Sequence, residues 1–323
     1  MMSEAVAGLE SSRLTRIHEA ALAMLGAWMG GRYFRTFRIT TDDGPFDAML
    51  TQRERRIGVT IGTLWDGAGP AGASGIESLA SADLAAAGDT NAYALWVPPG
   101  GDIPEQEPAI SEFRLLITRG LSGLDPGARR EVRLPVGLRL AKIEATGAYM
   151  SVSGGLASQW TDLSEGLNGS YHLDSRDLHR LPEERAEVEI LISRVRDRAA
   201  LLEPEEITGV DVHDYWLVSR LPGTEPRGLT MIGAPADFDP TDGALVRRLL
   251  RTHIARAIEQ RGGGADLAVL LLIAPLAHIE DERVTAALRG MSPAAYGAID
   301  LIALVADGAV RQVLQPRSLP WET

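Results

Sequence analysis

Within Tyr171–Arg180 the sequence gathers His172, Asp174, Asp177 and His179, two imidazoles and two carboxylates of the kind that hold a divalent cation. His172 and Asp174 share a face if that piece is extended; the alternative is a loop in which Asp174 or Asp177 starts a turn. A second candidate is Gly67-Ala68-Gly69-Pro70-Ala71-Gly72, which satisfies the G-x-G-x-x-G of a dinucleotide-binding turn. The acid such a turn needs after the following strand is replaced by Trp96-Val97-Pro98-Pro99, and a flexible loop is the simpler reading. A third is the run of Arg247, Arg248, Arg251, Arg256 and Arg261 on one helical segment, either a solvated face or a local phosphate-binding surface. His18 and His253 border apolar stripes and read as packing, while His213 and His278 have no evident partners. Ser151-Val152-Ser153-Gly154-Gly155 is not a nucleophile elbow, and no triad order emerges.

Composition narrows the chemistry further. The 323 residues are 45% apolar and 24% charged, values of an ordinary globular chain long enough for one elaborated domain or two. Cysteine is absent, which removes disulfides, thiolate metal sites and cysteine nucleophiles together. A net charge of −12 is the wrong sign for a surface that grips nucleic acid or anionic lipid all over, so phosphate binding must be local. Met1-Met2-Ser3-Glu4 lacks a secretory pattern and the longest apolar run, Leu267 to Ala277, is too short for a bilayer, so a cytoplasmic protein with no membrane contact is expected.

The elements that must carry these residues follow from periodicity. Leu14, Ile17, Ala21, Leu25 and Trp28 predict an amphipathic helix, capped by Ser11 or Ser12 and stopped at Gly30-Gly31. Strand-like runs at 32–40, 46–52 and 56–64, separated by Asp42-Asp43-Gly44 and Arg53-Glu54-Arg55, predict an antiparallel meander. Helices follow at 74–87, 108–121 and 182–202, with a short buried strand at 93–97. A strand pair over 131–152 turns at Ala145-Thr146-Gly147, and a hairpin of 210–221 with 228–232 turns at Pro222-Gly223. Asp239-Pro240 opens a helix running to Gln260, and strands at 267–274, 299–305 and 310–314 with a helix at 280–288 close the chain. On the third strand Gly58, Thr60 and Gly62 make one face small, which suits either close packing or a ligand cleft.

The segment Pro45-Phe46-Asp47-Ala48, the charged turn and Arg56-Ile57-Gly58-Val59-Thr60-Ile61-Gly62-Thr63-Leu64 resembles the core of the PD-(D/E)XK nuclease superfamily. It is especially similar to bacterial members in which an acidic hairpin strand precedes a strand of the form I-G-V-E-V-T, and the late helix and strands fit the second half of such folds. In that family an aspartate and a glutamate hold Mg²⁺, and a lysine two residues beyond the glutamate orients the attacking water. Asp47 matches the aspartate, Thr60 stands where the glutamate belongs and Gly62 where the lysine belongs. Asp66, just past the strand, is placed to supply a replacement carboxylate, and Arg248 or Arg251 a phosphate clamp. Glu19 on the first helix points about 150° from the apolar stripe, toward solvent.

The resemblance therefore implies an α/β fold: a mixed sheet with flanking helices like a PD-(D/E)XK core, enlarged by an α+β insertion. Residues 1–104 and 236–323 are expected to form its two halves and 105–235 the insertion. The expected function is that of a nuclease-like protein of nucleic-acid metabolism or defence, catalytically compromised and acting by binding or scaffolding. If active, it would be a metal-dependent phosphodiesterase using Mg²⁺, with Asp47 and Thr60 in the catalytic positions, Asp47 and Asp66 on the metal, and Arg248 and Arg251 on nucleic acid. A protein partner or a homo-oligomer stays open. The alternative is a small-molecule or nucleotide-handling enzyme using the loop Gly67 to Gly75.

Overall fold

The computed structural model describes residues 14–40, 44–239, 242–274 and 284–322. The expected cap at Ser11 or Ser12, the Asp42-Asp43 turn, Pro240 and the start of the 280–288 helix lie outside them. Helix α1 (Arg16–Tyr33) begins at Thr15, whose hydroxyl accepts from the His18 amide at 3.3 Å. It does not stop at Gly30-Gly31 but runs to Tyr33 and ends where Phe34 turns left-handed at φ 54°. Two glycines cost about 1 kcal/mol each in a helix. Here the burial of Met29 and Tyr33, the latter against the Trp28 and Trp321 rings, outweighs that cost. The longer helix shortens the expected first strand, so that β1 spans only Arg38–Thr40. With β2 (Ala48–Gln52) and β3 (Arg55–Thr63) it forms the antiparallel meander.

After β3 the chain leaves this sheet and builds another. Its elements are α2 (Ala73–Ala86), β4 (Ala92–Trp96), α3 (Ala109–Leu121), β5 (Arg129–Glu144), β6 (Ala148–Gly154), α4 (Trp160–Ser164), β7 (Gly169–Ser175), α5 (Arg185–Ala200), β8 (Ile207–Arg220) and β9 (Gly228–Ile232). They form a mixed sheet in the order β6-β7-β5-β8-β4-β9. Two expected hairpins are absent. β4 is apolar on both faces and fully buried, so it needs a neighbour on each side; it takes β8 antiparallel and β9 parallel and separates them. Likewise β6 pairs in parallel with β7, not with β5, because β7 occupies the β5 edge. The chain leaves the first sheet after β3, well before the boundary expected at residue 105, and β4 belongs wholly to the second.

The chain returns through α6 (Gly243–Arg261), β10 (Leu267–Ile273), β11 (Leu301–Ala306) and β12 (Ala309–Leu314), with a further helical segment at 284–289. Asp242 caps α6 by accepting from the amides of Ala244 and Leu245. β10 pairs in parallel with both β3 and β11, giving the order β1-β2-β3-β10-β11-β12. α1 lies between the two sheets. Ala21, Leu25 and Met29 share one core with Val59, Ile61 and Leu271 of the first sheet and Ala94, Trp96 and Leu217 of the second. That position explains a helix apolar on more than one side. α6 covers the other face of the first sheet, with Leu250 and Ile254 against Leu270 and Leu272.

Polar contacts join the layers at the rim. Arg180, in the connection before α5, donates to the Asp307 carboxylate at 2.6 Å across the two sheets, and both side chains are buried. Arg16 of α1 donates to the Arg227 and Leu229 carbonyls.

Candidate functional site

Period-two alternation sends Ile57, Val59 and Ile61 of β3 toward α1, and Gly58, Thr60 and Gly62 toward α6. The small face is filled. A side chain at Gly58 would overlap the Phe46 ring, and a Cβ at Gly62 would lie 2.5 Å from the His253 ring. Between them Thr60, fully buried, donates its hydroxyl proton to Gln260 Oε1 at 2.5 Å. The glycines and threonine therefore serve close packing, Gly58 against Phe46 and Thr60 and Gly62 against α6.

Asp47 sits one residue before β2, where the main-chain ladder to β3 ends with its own amide bonded to the Val59 carbonyl. Its carboxylate continues the ladder by accepting from the Ile61 amide at 2.7 Å, and it also accepts from Arg256 Nη2 at 2.8 Å. The same guanidinium nitrogen donates to the Ile61 carbonyl. Asp47, Ile61 and Arg256 thus close a ring of hydrogen bonds that pins α6 to the mouth of the β2–β3 pair. Two histidines flank it. His253 Nε2 donates to the Thr63 carbonyl at 2.9 Å, which assigns the proton to that nitrogen because a carbonyl only accepts. His18 comes from α1, and its buried Nδ1 has no hydrogen-bond partner among the described residues.

Burial holds both imidazoles below the ordinary 6.5. For His18 the Asp47 charge opposes this and Arg256 adds to it; for His253 the Thr63 hydrogen bond opposes it, Arg256 adds, and Asp47 and Asp66 oppose. The folded state therefore resists protonation that the unfolded chain accepts. The stability from these neutral rings is complete above the unfolded value and is lost as pH falls below it. The urea midpoint is expected to fall between about pH 7 and pH 5.5, and to fall less in the His18→Phe/His253→Gln variant. An equal fall in both proteins would refute the assignment.

Asp66 lies just past β3 and pairs with Arg248 on α6, both more than half exposed. Arg251 is exposed and has no ion-pair partner among the described residues, as has Arg247. The basic run therefore divides. Arg247, Arg248 and Arg251 face outward, whereas Arg256 turns to Asp47, and Arg261 reaches the Asp300 carboxylate at 2.6 Å and the Ala298 carbonyl.

These residues do not fit Mg²⁺. The carboxylate of Asp47 is held by an amide and a guanidinium, that of Asp66 by another guanidinium, and Thr60 is committed to Gln260. A hard divalent cation needs several unopposed oxygens, whereas Arg256 brings a positive charge to the aspartate. Among the described residues no group of three or more histidines and carboxylates gathers as a metal ligand set.

The other sequence candidates do not converge either. β7 puts His172 and Asp174 on one face, but His172 Nδ1 lies 2.9 Å from Ser151 Oγ. Asp174 accepts twice from the Arg176 side chain, which holds its carboxyl well below the usual carboxylate range. Asp177 is exposed, and His179 turns to Asp214. The loop Gly67 to Gly72 does lead into α2, yet β3 and β4 on either side of it belong to different sheets, so the parallel strand–helix–strand unit of a dinucleotide site is not formed. Glu105 stands beside the start of that helix, its Oε1 3.4 Å from where a Cβ on Gly72 would lie.

Sequence reasoning placed Asp47, Thr60 and Gly62 but missed what α6 brings to them. The available signal was the spacing of His253, Arg256 and Gln260, one polar line along a helix otherwise read as a basic patch over an apolar stripe.

Fold and site define an α/β protein of two mixed sheets with flanking helices, and no described helix is long and apolar enough to cross a membrane. No protein family, no curated protein and no solved structure matches the chain.

Proposed function

We propose that this is a nuclease-like protein related to the PD-(D/E)XK superfamily, that it no longer cuts by metal chemistry, and that it works in nucleic-acid metabolism or defence by binding phosphate groups. The single observation that carries the reading is Arg256 seated on Asp47. In an active member this aspartate faces a divalent cation; here a side chain of the chain itself supplies the positive charge. The order of elements in the first sheet supports the same reading: a helix, an antiparallel meander, then a helix leading to a strand parallel to β3. Arg247, Arg248 and Arg251 supply the binding surface on the outer side of α6. The Arg248–Asp66 pair is little obstacle, since exposed ion pairs are worth about 0–1 kcal/mol.

The test is incubation of the purified protein with labelled single- and double-stranded DNA and RNA, with Mg²⁺ or Mn²⁺ against chelator. Binding that survives chelation with no cleavage is the expected result. Metal-dependent cutting abolished by Asp47→Ala would contradict the proposal, as would failure to bind any of these polymers.

A further inference from the structure

The second sheet carries a site of its own. Asp214 on β8 is buried to 2% exposure, yet its carboxylate accepts five hydrogen bonds. Three come from the main-chain amides of His179, Arg180 and Tyr215 to one oxygen. The other oxygen takes Trp216 Nε1 at 2.7 Å and His179 Nδ1 at 2.8 Å. The hydrogen bond to this carboxylate places a proton of His179 on Nδ1, so that whenever the ring is neutral it presents its lone pair at Nε2. That nitrogen makes no hydrogen bond among the described residues, and the ring borders a cleft of 620 Å³. Gly100, left-handed at φ 79°, stands beside the ring; a Cβ there would come within 3.8 Å of Nε2.

The lining has a consistent character. Phe113, Leu134 and Trp216 give an apolar floor, and Asp102, Glu112 and Asp177 stand at the exposed rim without a cation of the protein in the lining. A fixed acceptor, an apolar floor and an acidic rim match a ligand with N–H donors, a positive charge and an apolar body. The volume lies within the range of small-molecule sites, about 300–1,000 Å³.

We propose that this cleft binds a small organic ammonium ion with an apolar body, whose nitrogen donates to His179 Nε2 while its charge is balanced by Asp102, Glu112 and Asp177. The site is separate from α6 and independent of the nuclease-like reading.

Tryptamine is the probe, with indole-3-propionate as its anionic counterpart. The His179 ring signals, identified by their loss in His179→Gln, are followed by NMR as each compound is added to the full chain. Tryptamine is expected to shift them saturably, and indole-3-propionate to leave them in place. The rim variant Asp102→Asn/Glu112→Gln/Asp177→Asn, altered only at exposed positions, is expected to weaken tryptamine binding by about tenfold, as is His179→Gln. No saturable shift, equal binding of the anion, or unchanged affinity in the rim variant would each overturn the proposal.

Discussion

Asp214→Ala is expected to lower the free energy of unfolding by about 3–5 kcal/mol, the largest loss expected of any substitution considered for this chain. The substitution strands four donors at once: the buried amide of Tyr215 and indole nitrogen of Trp216, and the part-buried amides of His179 and Arg180, all lose their acceptor. A buried donor left unsatisfied costs about 1–3 kcal/mol, and relaxation around the alanine recovers only part of the sum. Asp214→Asn is expected to be milder, because its oxygen keeps the three amides while its NH2 group faces the Trp216 N–H, donor against donor. Urea unfolding followed by tryptophan fluorescence measures both. A loss below about 1 kcal/mol for the alanine variant would mean that this carboxylate does not organise the second sheet as described.

Gly62→Ala is expected to destabilise by about 1–3 kcal/mol through overpacking, although alanine is ordinarily no worse than glycine in a strand. The new methyl would meet the His253 ring at 2.5 Å, and that ring is fixed by its bond to the Thr63 carbonyl. Removing the ring should remove the clash. The double variant Gly62→Ala/His253→Ala is therefore expected to lose less than the sum of the two single losses, by about 1 kcal/mol or more. Strict additivity would show that the small face of β3 is not held by α6. The same overlap leaves no room at this position for a longer side chain such as lysine.

Much of the first sheet was legible because its signals are local. The alternation of Ile57, Val59 and Ile61 with Gly58, Thr60 and Gly62 marked both the strand and its two faces, and the apolar run from Leu267 marked a strand, which the structure buries throughout. The second sheet was less legible because its pairings skip neighbours in sequence. Pro222-Gly223 reads as a hairpin turn, but β4, more than a hundred residues earlier, lies between the strands it joins. β7 was hidden by its polar outward residues, His172 and Asp174, which drew attention as ligands instead of as the exposed half of an alternating strand.

The site divides in the same way. The positions of Asp47 and Thr60 follow from strand pairing, but Arg256 reaches Asp47 across 209 residues, and helical periodicity alone does not say which arginines of α6 dock and which face water. Docking is decided by the depth of the small face on β3, a property of both elements together. What looked like one basic patch is an outward trio and two inward clamps.

The most direct test of the central claim, phosphate binding by the outward face of α6 without metal, is the salt dependence of DNA affinity. It would be measured in chelator for the native chain and for Arg247→Ala/Arg248→Ala/Arg251→Ala. Each phosphate contact contributes a slope of about −0.9 in log affinity against log salt on duplex DNA, so the triple variant is predicted to bind more weakly with a slope shallower by about 2–3. An unchanged slope and affinity in the triple variant would contradict the account.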